Sequence, residues 1–154
     1  MREHSVHVSV QSDGRVFVHP YSLTVSGFSI MDGLPNVLKS HEEARILGDA
    51  VVAALHASNR APLPDRDLRV DPPDREFLAW LGLRSYGQYM RKVRDVGVLA
   101  FFDDQIGEVE LTPSRNEGSR GGFTPILEER FSITFESPEQ LGRAVQEAMT
   151  KAIA

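Results

Sequence analysis

The chain has 154 residues and a mass of 17.1 kDa, is 41% hydrophobic and 25% charged, and carries a formal net charge of −5. These values are typical of one globular domain with its own core, so we expect a single domain over residues 1–154. The absence of cysteine excludes a disulfide framework, a thiolate nucleophile and cysteine-ligated metal sites. The negative charge argues against nucleic-acid binding and would suit a basic protein partner.

Neither a targeting segment nor a membrane span is expected. The N-terminal residues lack the apolar stretch of about 7–15 residues that a signal peptide needs, and no apolar run approaches roughly 18 residues. We therefore expect a cytoplasmic protein without membrane contacts.

The N-terminus predicts a β-hairpin. Val6, Val8 and Val10 alternate with polar residues, the turn dipeptide Asp13-Gly14 follows, and residues 16–18 open a second strand. Residues 27–39 then read as a loop.

A first helix is predicted after this loop. Ser40 and Glu43 have the spacing of a capping box, and an apolar face follows until the helix ends near Ser58-Asn59. Four prolines within residues 60–74 indicate an extended connector. Residues 75–83 predict a short, mostly buried helix with a glycine stop, and another short helix is expected from Tyr86 to about Arg94.

Three strands are predicted in the second half. The apolar run from Val96 to Phe102 is typical of a central strand covered on both faces. After a turn at 103–105, Val109 and Leu111 alternate with glutamates, so this strand should have one solvent-facing side. Residues 112–122 read as a polar loop, and residues 131–135 alternate as a last strand.

The C-terminal helix has the clearest start. Ser137 stands at the N-cap, Pro138 at the first helical position and Gln140 two residues later. Both long helices contain the motif Leu-Gly-x-Ala-Val, at 47–51 and 141–145. Helical packing constraints can produce such a motif without duplication, and we favour that interpretation. The order of elements predicts an α+β fold: a mainly antiparallel sheet, made of the hairpin and three later strands, with packed helices and a C-terminal helix.

Few residues suggest catalysis. The five histidines form no metal-binding motif, so we expect surface or capping histidines and neither metal nor cofactor. One alternative is an RNase that uses His7 and His19 across the hairpin as general acid and base. The glycine-rich segment 118–122 lacks the lysine and the helix of a phosphate-binding loop. The basic and aromatic residues between Arg84 and Arg94 could stack on and neutralise a nucleic-acid strand. A packed helical face with cations on its solvent side explains them better.

Carboxylates are grouped more suggestively. Asp103 and Asp104 occupy a turn, Glu108 and Glu110 share a strand face, and Glu128 and Glu129 precede the last strand. An ordinary solvated surface explains such a grouping. The sharper hypothesis is a landing surface for a basic protein, where charge would speed association.

The region from Phe77 onward resembles the immunity proteins of contact-dependent growth inhibition, the CdiI type. The similarity lies in 81–86, in Val96 through Leu111, in Thr112 through Gly118 with Gly122-Phe123, and in the terminal Glu-x-Leu-Gly-x-Ala at 139–144. It implies a non-enzymatic, cytoplasmic protein that binds, one to one, the C-terminal toxin domain of a large secreted effector. Such toxins are often nucleases, and inhibition would cover the active site or the substrate path.

The resemblance does not supply contact residues, so charge guides the prediction of the interface. The predicted toxin-binding residues are carboxylates, together with polar residues of the glycine loop: Asp103, Asp104, Glu108, Glu110, Asn116, Glu117, Arg120, Glu128 and Glu129. An adaptor with another protein partner is the alternative within the binding class.

Overall fold

The computed structural model describes residues 1–154 and contains an eight-stranded sheet and five α-helices. The strands are β1 (Arg2–Val10), β2 (Val16–Leu23), β3 (Ser29–Met31), β4 (Asn36–Leu38), β5 (Arg94–Phe102), β6 (Glu108–Asn116), β7 (Phe123–Pro125) and β8 (Phe131–Thr134). The helices are α1 (Ala44–Ala57), α2 (Arg75–Leu81), α3 (Tyr86–Tyr89), α4 (Gly118–Gly121) and α5 (Pro138–Lys151), with a 3-10 helix at Leu127–Glu129. The predicted α+β class, antiparallel sheet and C-terminal helix are confirmed. No helix of the chain has the length and apolar character needed to cross a membrane.

The sheet runs in the order β3-β2-β1-β5-β6-β7, with β4 also pairing with β2 and β8 also pairing with β6. All these strand pairs are antiparallel. A proline marks the point where each outer strand changes its edge partner: Pro20 lies between the β4-paired and β3-paired parts of β2, and Pro113 lies between the β8-paired and β7-paired parts of β6. Because proline has no N–H to donate, it fits where one ladder stops and the next begins.

One face of the sheet packs against α1 and α5. The core between them comprises apolar side chains that alternate along β1, β2, β5 and β6 and line one side of each helix. The predicted hairpin is confirmed, with His7 opposite His19. The start of α5 is also confirmed, because Ser137 Oγ accepts a hydrogen bond from the Gln140 N–H at 3.1 Å.

The two long helices cross at their glycines. A Cβ on Gly48 would collide with the Pro138 carbonyl oxygen, and a Cβ on Gly142 would collide with the Ala44 carbonyl oxygen. The repeated Leu-Gly-x-Ala-Val motif therefore has a packing explanation, since each glycine lets the backbone of the other helix approach closely.

The other face of the sheet is only partly covered. A second cluster of buried side chains joins β2 and β3 to α2, α3 and the residues just before β5: Phe17, Met31, Phe77, Tyr89, Met90 and Val93. The prediction that β5 is covered on both faces is wrong, because Phe101 is 49% exposed on this side. An apolar run shows that a strand is largely buried but not how far its covering helices extend.

Several predicted boundaries are also wrong. The Ser40 hydroxyl bonds to the Glu42 N–H, and the N-cap of α1 is Glu43, whose side chain makes no capping bond. The predicted loops 27–39 and 112–122 contain short edge strands and the end of β6, because edge pairing needs little apolar pattern.

The two short helices differ from prediction as well. The first does end at Gly82, in the left-handed conformation with φ 73°, but Phe77 is its only buried residue. The second stops at Tyr89, since Lys92 takes a positive φ of 57° and Arg94 already belongs to β5.

Candidate functional site

The uncovered part of the sheet carries two of the predicted glutamates. Glu108 and Glu110 lie two residues apart on β6 and point to the side away from α1 and α5, opposite the buried Val109 and Leu111. Glu110 is paired in register with Leu99 of β5. The predicted solvent-facing side of this strand is confirmed.

Two rows of side chains cross this uncovered region. In one, Leu99 lies between Ser5 and Glu110. In the next, Phe101 pairs with Glu3. We call Glu3, Leu99, Phe101, Glu108 and Glu110 the open face; most of it borders a shallow depression of about 520 Å³. The surface is therefore mixed, with two apolar side chains among three carboxylates.

Asp103 and Asp104 lie beside this region but in a different environment. Both are exposed in the β5–β6 turn and line a separate polar depression of about 450 Å³. Arg2 and Arg60 line the same depression. The two aspartates therefore share their surroundings with cations.

Glu128 and Glu129 lie outside the open face. They belong to the 3-10 helix, which follows Ile126, and the Ile126 N–H bonds to the Pro113 carbonyl at 2.8 Å. Pro113 is three residues along β6 from Glu110 and five from Glu108, roughly 10 and 17 Å in an extended strand. Glu129 also pairs with Lys151 at 3.5 Å. The structure thus does not bring the six predicted carboxylates together.

The predicted residues of the glycine loop lie at the far end of β6. The Asn116 amide nitrogen donates to the Met90 and Val93 carbonyl oxygens at 2.6 and 3.0 Å, and its Oδ1 accepts from the Gly118 N–H at 3.0 Å. Its polar atoms therefore hold β6 against the chain that enters β5. Glu117 and Arg120 are exposed beside it.

The histidines are not all surface or capping residues, because His4 and His19 are 5% and 2% exposed. Both ring nitrogens of His4 face carbonyl oxygens, of Ser58 at 2.8 Å and of Phe102 at 3.2 Å. Alternation places His4 on the same side of β1 as Val6 and Val8, so the pattern contained a signal for its burial. His19 is covered by α2, and no local pattern indicates that contact.

His7 and His19 do face each other across the hairpin, but their environments differ. His7 Nδ1 lies 2.9 Å from the Asp95 carboxylate, which also accepts a hydrogen bond from Ser9 Oγ at 2.7 Å. Burial lowers the pKa of His7, but the charge and the hydrogen bond of Asp95 together raise it by more, so the pKa is raised overall.

His19 is enclosed by aromatic rings, with the Phe77 ring centroid 4.9 Å away, and its Nδ1 has no hydrogen-bond partner. Burial lowers its pKa to about 4. An RNase would need both imidazoles at the substrate, and the enclosed His19 ring is not positioned for that.

The basic and aromatic segment before β5 packs inward. Tyr89, Met90 and Val93 are buried, while Arg91 and Lys92 are exposed. The interpretation of this segment as a packed face with cations outside is confirmed. The chain contains no group of three or more side chains placed to hold a metal ion.

Comparison with known proteins shows similarity of fold. No protein-family model and no curated protein matches the chain. A solved protein of unknown function from Neisseria meningitidis, NMB0488, is similar with a TM-score of 0.76 at 16% identity, covering 98% of this chain and 96% of that one. A chain of the CdiA-CT/CdiI toxin and immunity complex from Yersinia pseudotuberculosis is similar with a TM-score of 0.72 at 14% identity, covering 99% of this chain and 98% of that one.

Proposed function

We propose that this chain is an immunity protein of a contact-dependent growth inhibition system, acting as a single domain over residues 1–154. It binds the C-terminal toxin domain of a large secreted effector, one to one and in the cytoplasm. It neutralises the toxin by covering the active site or the substrate path, without catalysis or a cofactor. A nuclease is the toxin class that an acidic inhibitor suits, because such enzymes use cations to hold phosphates.

The observation that carries this proposal is the fold shared, over nearly the whole length of both chains, with a chain of a toxin and immunity complex. The sequence from Phe77 onward independently resembles the immunity component of such systems. The net charge of −5 and the glutamates of the open face, which form no ion pair within the chain, support binding of a basic partner.

The proposed interface starts from the nine residues predicted by charge. Glu108 and Glu110 stand together on the sheet, and Asp103 and Asp104 flank them in the adjoining turn. Glu117, Arg120, Glu128 and Glu129 would reach the toxin only if it also spanned the far end of β6. Asn116 would contribute through its position in the loop, since its amide is bonded within the chain.

The test is co-expression in a bacterium with the C-terminal domain of the effector encoded by the adjacent gene. We expect the toxin domain alone to stop growth, the present chain alone to be harmless, and the pair to grow and co-purify one to one. Growth arrest by the present chain alone would contradict the proposal. Failure of rescue together with absence of a complex would do the same and would favour the adaptor alternative.

A further inference from the structure

The open face leaves apolar side chains of a central strand without a covering element. β5 lies between β1 and β6, and its other side is sealed by α1 and α5. On the open side, Phe101 is 49% exposed, and Leu99 is only half-buried. Exposed aromatic area within a concave, polar-rimmed surface is typical of a binding site.

The charges around these two side chains are not neutralised within the chain. Glu3, Glu108 and Glu110 make none of the ion pairs that the structure contains. The neighbouring positions on the same side of β1, β5, β6 and β8 carry no lysine or arginine: Ser5, Gly97, Thr112, Ser132 and Thr134. Three carboxylates on one face of the sheet, without a cation among them, favour a cationic partner.

Resting on the proposed function, we infer that the open face receives a cationic segment of the toxin domain, with an arginine or lysine seated over Phe101 and Leu99. The aliphatic stem of that side chain covers the apolar pair, while its charge meets Glu108 and Glu110. Arginine suits the site best, because its planar guanidinium both stacks on an aromatic ring and pairs with carboxylates.

The other acidic groups are less suited to this role. Asp103 and Asp104 share their depression with Arg2 and Arg60, and Glu129 is paired with Lys151. Neither group has an exposed aromatic side chain within a sheet face. Of the three groups of carboxylates, only the open face combines unpaired charge with exposed apolar side chains on paired strands of the sheet.

The chain offers a matched control for the apolar part of the open face and another for its charged part. Phe101→Ser removes an exposed apolar side chain from the open face, and Leu127→Ser does the same at a 58% exposed position on the 3-10 helix. Glu110→Lys reverses a charge on the open face, and Glu147→Lys reverses an exposed charge on α5, on the opposite side of the sheet. Circular dichroism and thermal unfolding would establish that each variant folds.

We expect Phe101→Ser and Glu110→Lys each to weaken toxin binding on the order of tenfold or more, and the two controls to change it less than about twofold. Glu110→Lys should also slow association and reduce its salt dependence, as stopped-flow kinetics would show. If the toxin is bound and neutralised but the paired variants and controls behave alike, the inference is overturned while the proposed function stands.

A second experiment does not need the toxin. Titration of the isotope-labelled chain with a hexa-arginine peptide should shift the backbone amide NMR signals of Leu99, Phe101 and Glu110 most, and Glu110→Lys should abolish these shifts. Largest shifts at 103–104 or 128–129 would overturn the inference. This experiment tests whether the open face binds a cationic segment, even if co-expression refutes the immunity function.

Discussion

Substitution of the crossing glycines tests the packing of α1 on α5. Gly48→Ala and Gly142→Ala each place a methyl group where the other helix presents a backbone carbonyl, of Pro138 and of Ala44. A backbone atom cannot rotate away as a side chain does, so the helices must separate by about 1 Å or more.

The cost of this separation follows from the core that the helices share. Both helices contribute to one cluster of 22 buried residues, in which Leu47, Val51, Leu141 and Val145 are fully buried. A gap of about 1 Å forfeits up to roughly half of the dispersion energy of each contact across it. Together with the overpacking itself, we expect a loss of about 3 kcal/mol or more from the free energy of unfolding for either variant.

The sign of the effect makes the test decisive. In a helix without close neighbours, Gly→Ala stabilises by up to about 1 kcal/mol. Gly107→Ala is the control, since a Cβ there meets no atom within 4 Å. Urea unfolding followed by circular dichroism gives the comparison. A Gly48→Ala or Gly142→Ala variant as stable as the wild type would refute the close crossing.

Three further predictions concern buried polar groups. His19 has a pKa of about 4 in the folded chain and 6.5 in the unfolded chain, so the unfolded state binds more protons between these pH values. The free energy of unfolding should therefore fall by about 3 kcal/mol as the pH drops through this window. His19→Phe should lose this component, as urea titrations near pH 7 and pH 4.5 would show; an unchanged acid sensitivity would argue against burial of the imidazole. Asp95→Asn should lower the pKa of His7, because burial remains when the partner charge is gone, and an NMR titration in which the His7 signal does not move would contradict the ion pair. Ser58→Ala removes a hydroxyl that donates to the Tyr21 carbonyl at 2.5 Å, and should cost about 1–3 kcal/mol in chemical denaturation. The exposed Ser132→Ala should change stability by less than about 0.5 kcal/mol, and equal effects would contradict a stabilising hydrogen bond from Ser58.

Local patterns were sufficient for the strongest elements. Alternation along β1 and β2 with Asp13-Gly14 between them predicted the hairpin, and Ser137, Pro138 and Gln140 predicted the start of α5. Each of these signals acts over a few residues through turn geometry or a cap. The capping box at Ser40 failed because the same side chain satisfied a nearer N–H in a local turn.

The candidate site was only partly predictable. Alternation identified Glu108 and Glu110 as neighbours on a solvent-facing side, but Glu3 was not identified. Glu3 comes to the open face through pairing of β1 with β5, nearly 100 residues away in the chain. Glu128 and Glu129 looked equally suitable by charge, yet the path of the chain after β7 places them elsewhere.

The amino-acid sequence by itself determined the long strands and helices, the class of fold that they build, and that the chain is acidic and free of cysteine. Only the tertiary structure decided which sides of those strands are covered. The glycines of α1 and α5 let the long helices seal one side of β5, whereas α2 and α3 extend over only part of the other. Leu99 and Phe101 belong to the same apolar run as buried residues, and periodicity cannot separate them. Their exposure depends on where a distant helix ends, and that is fixed by contacts between elements rather than by local pattern.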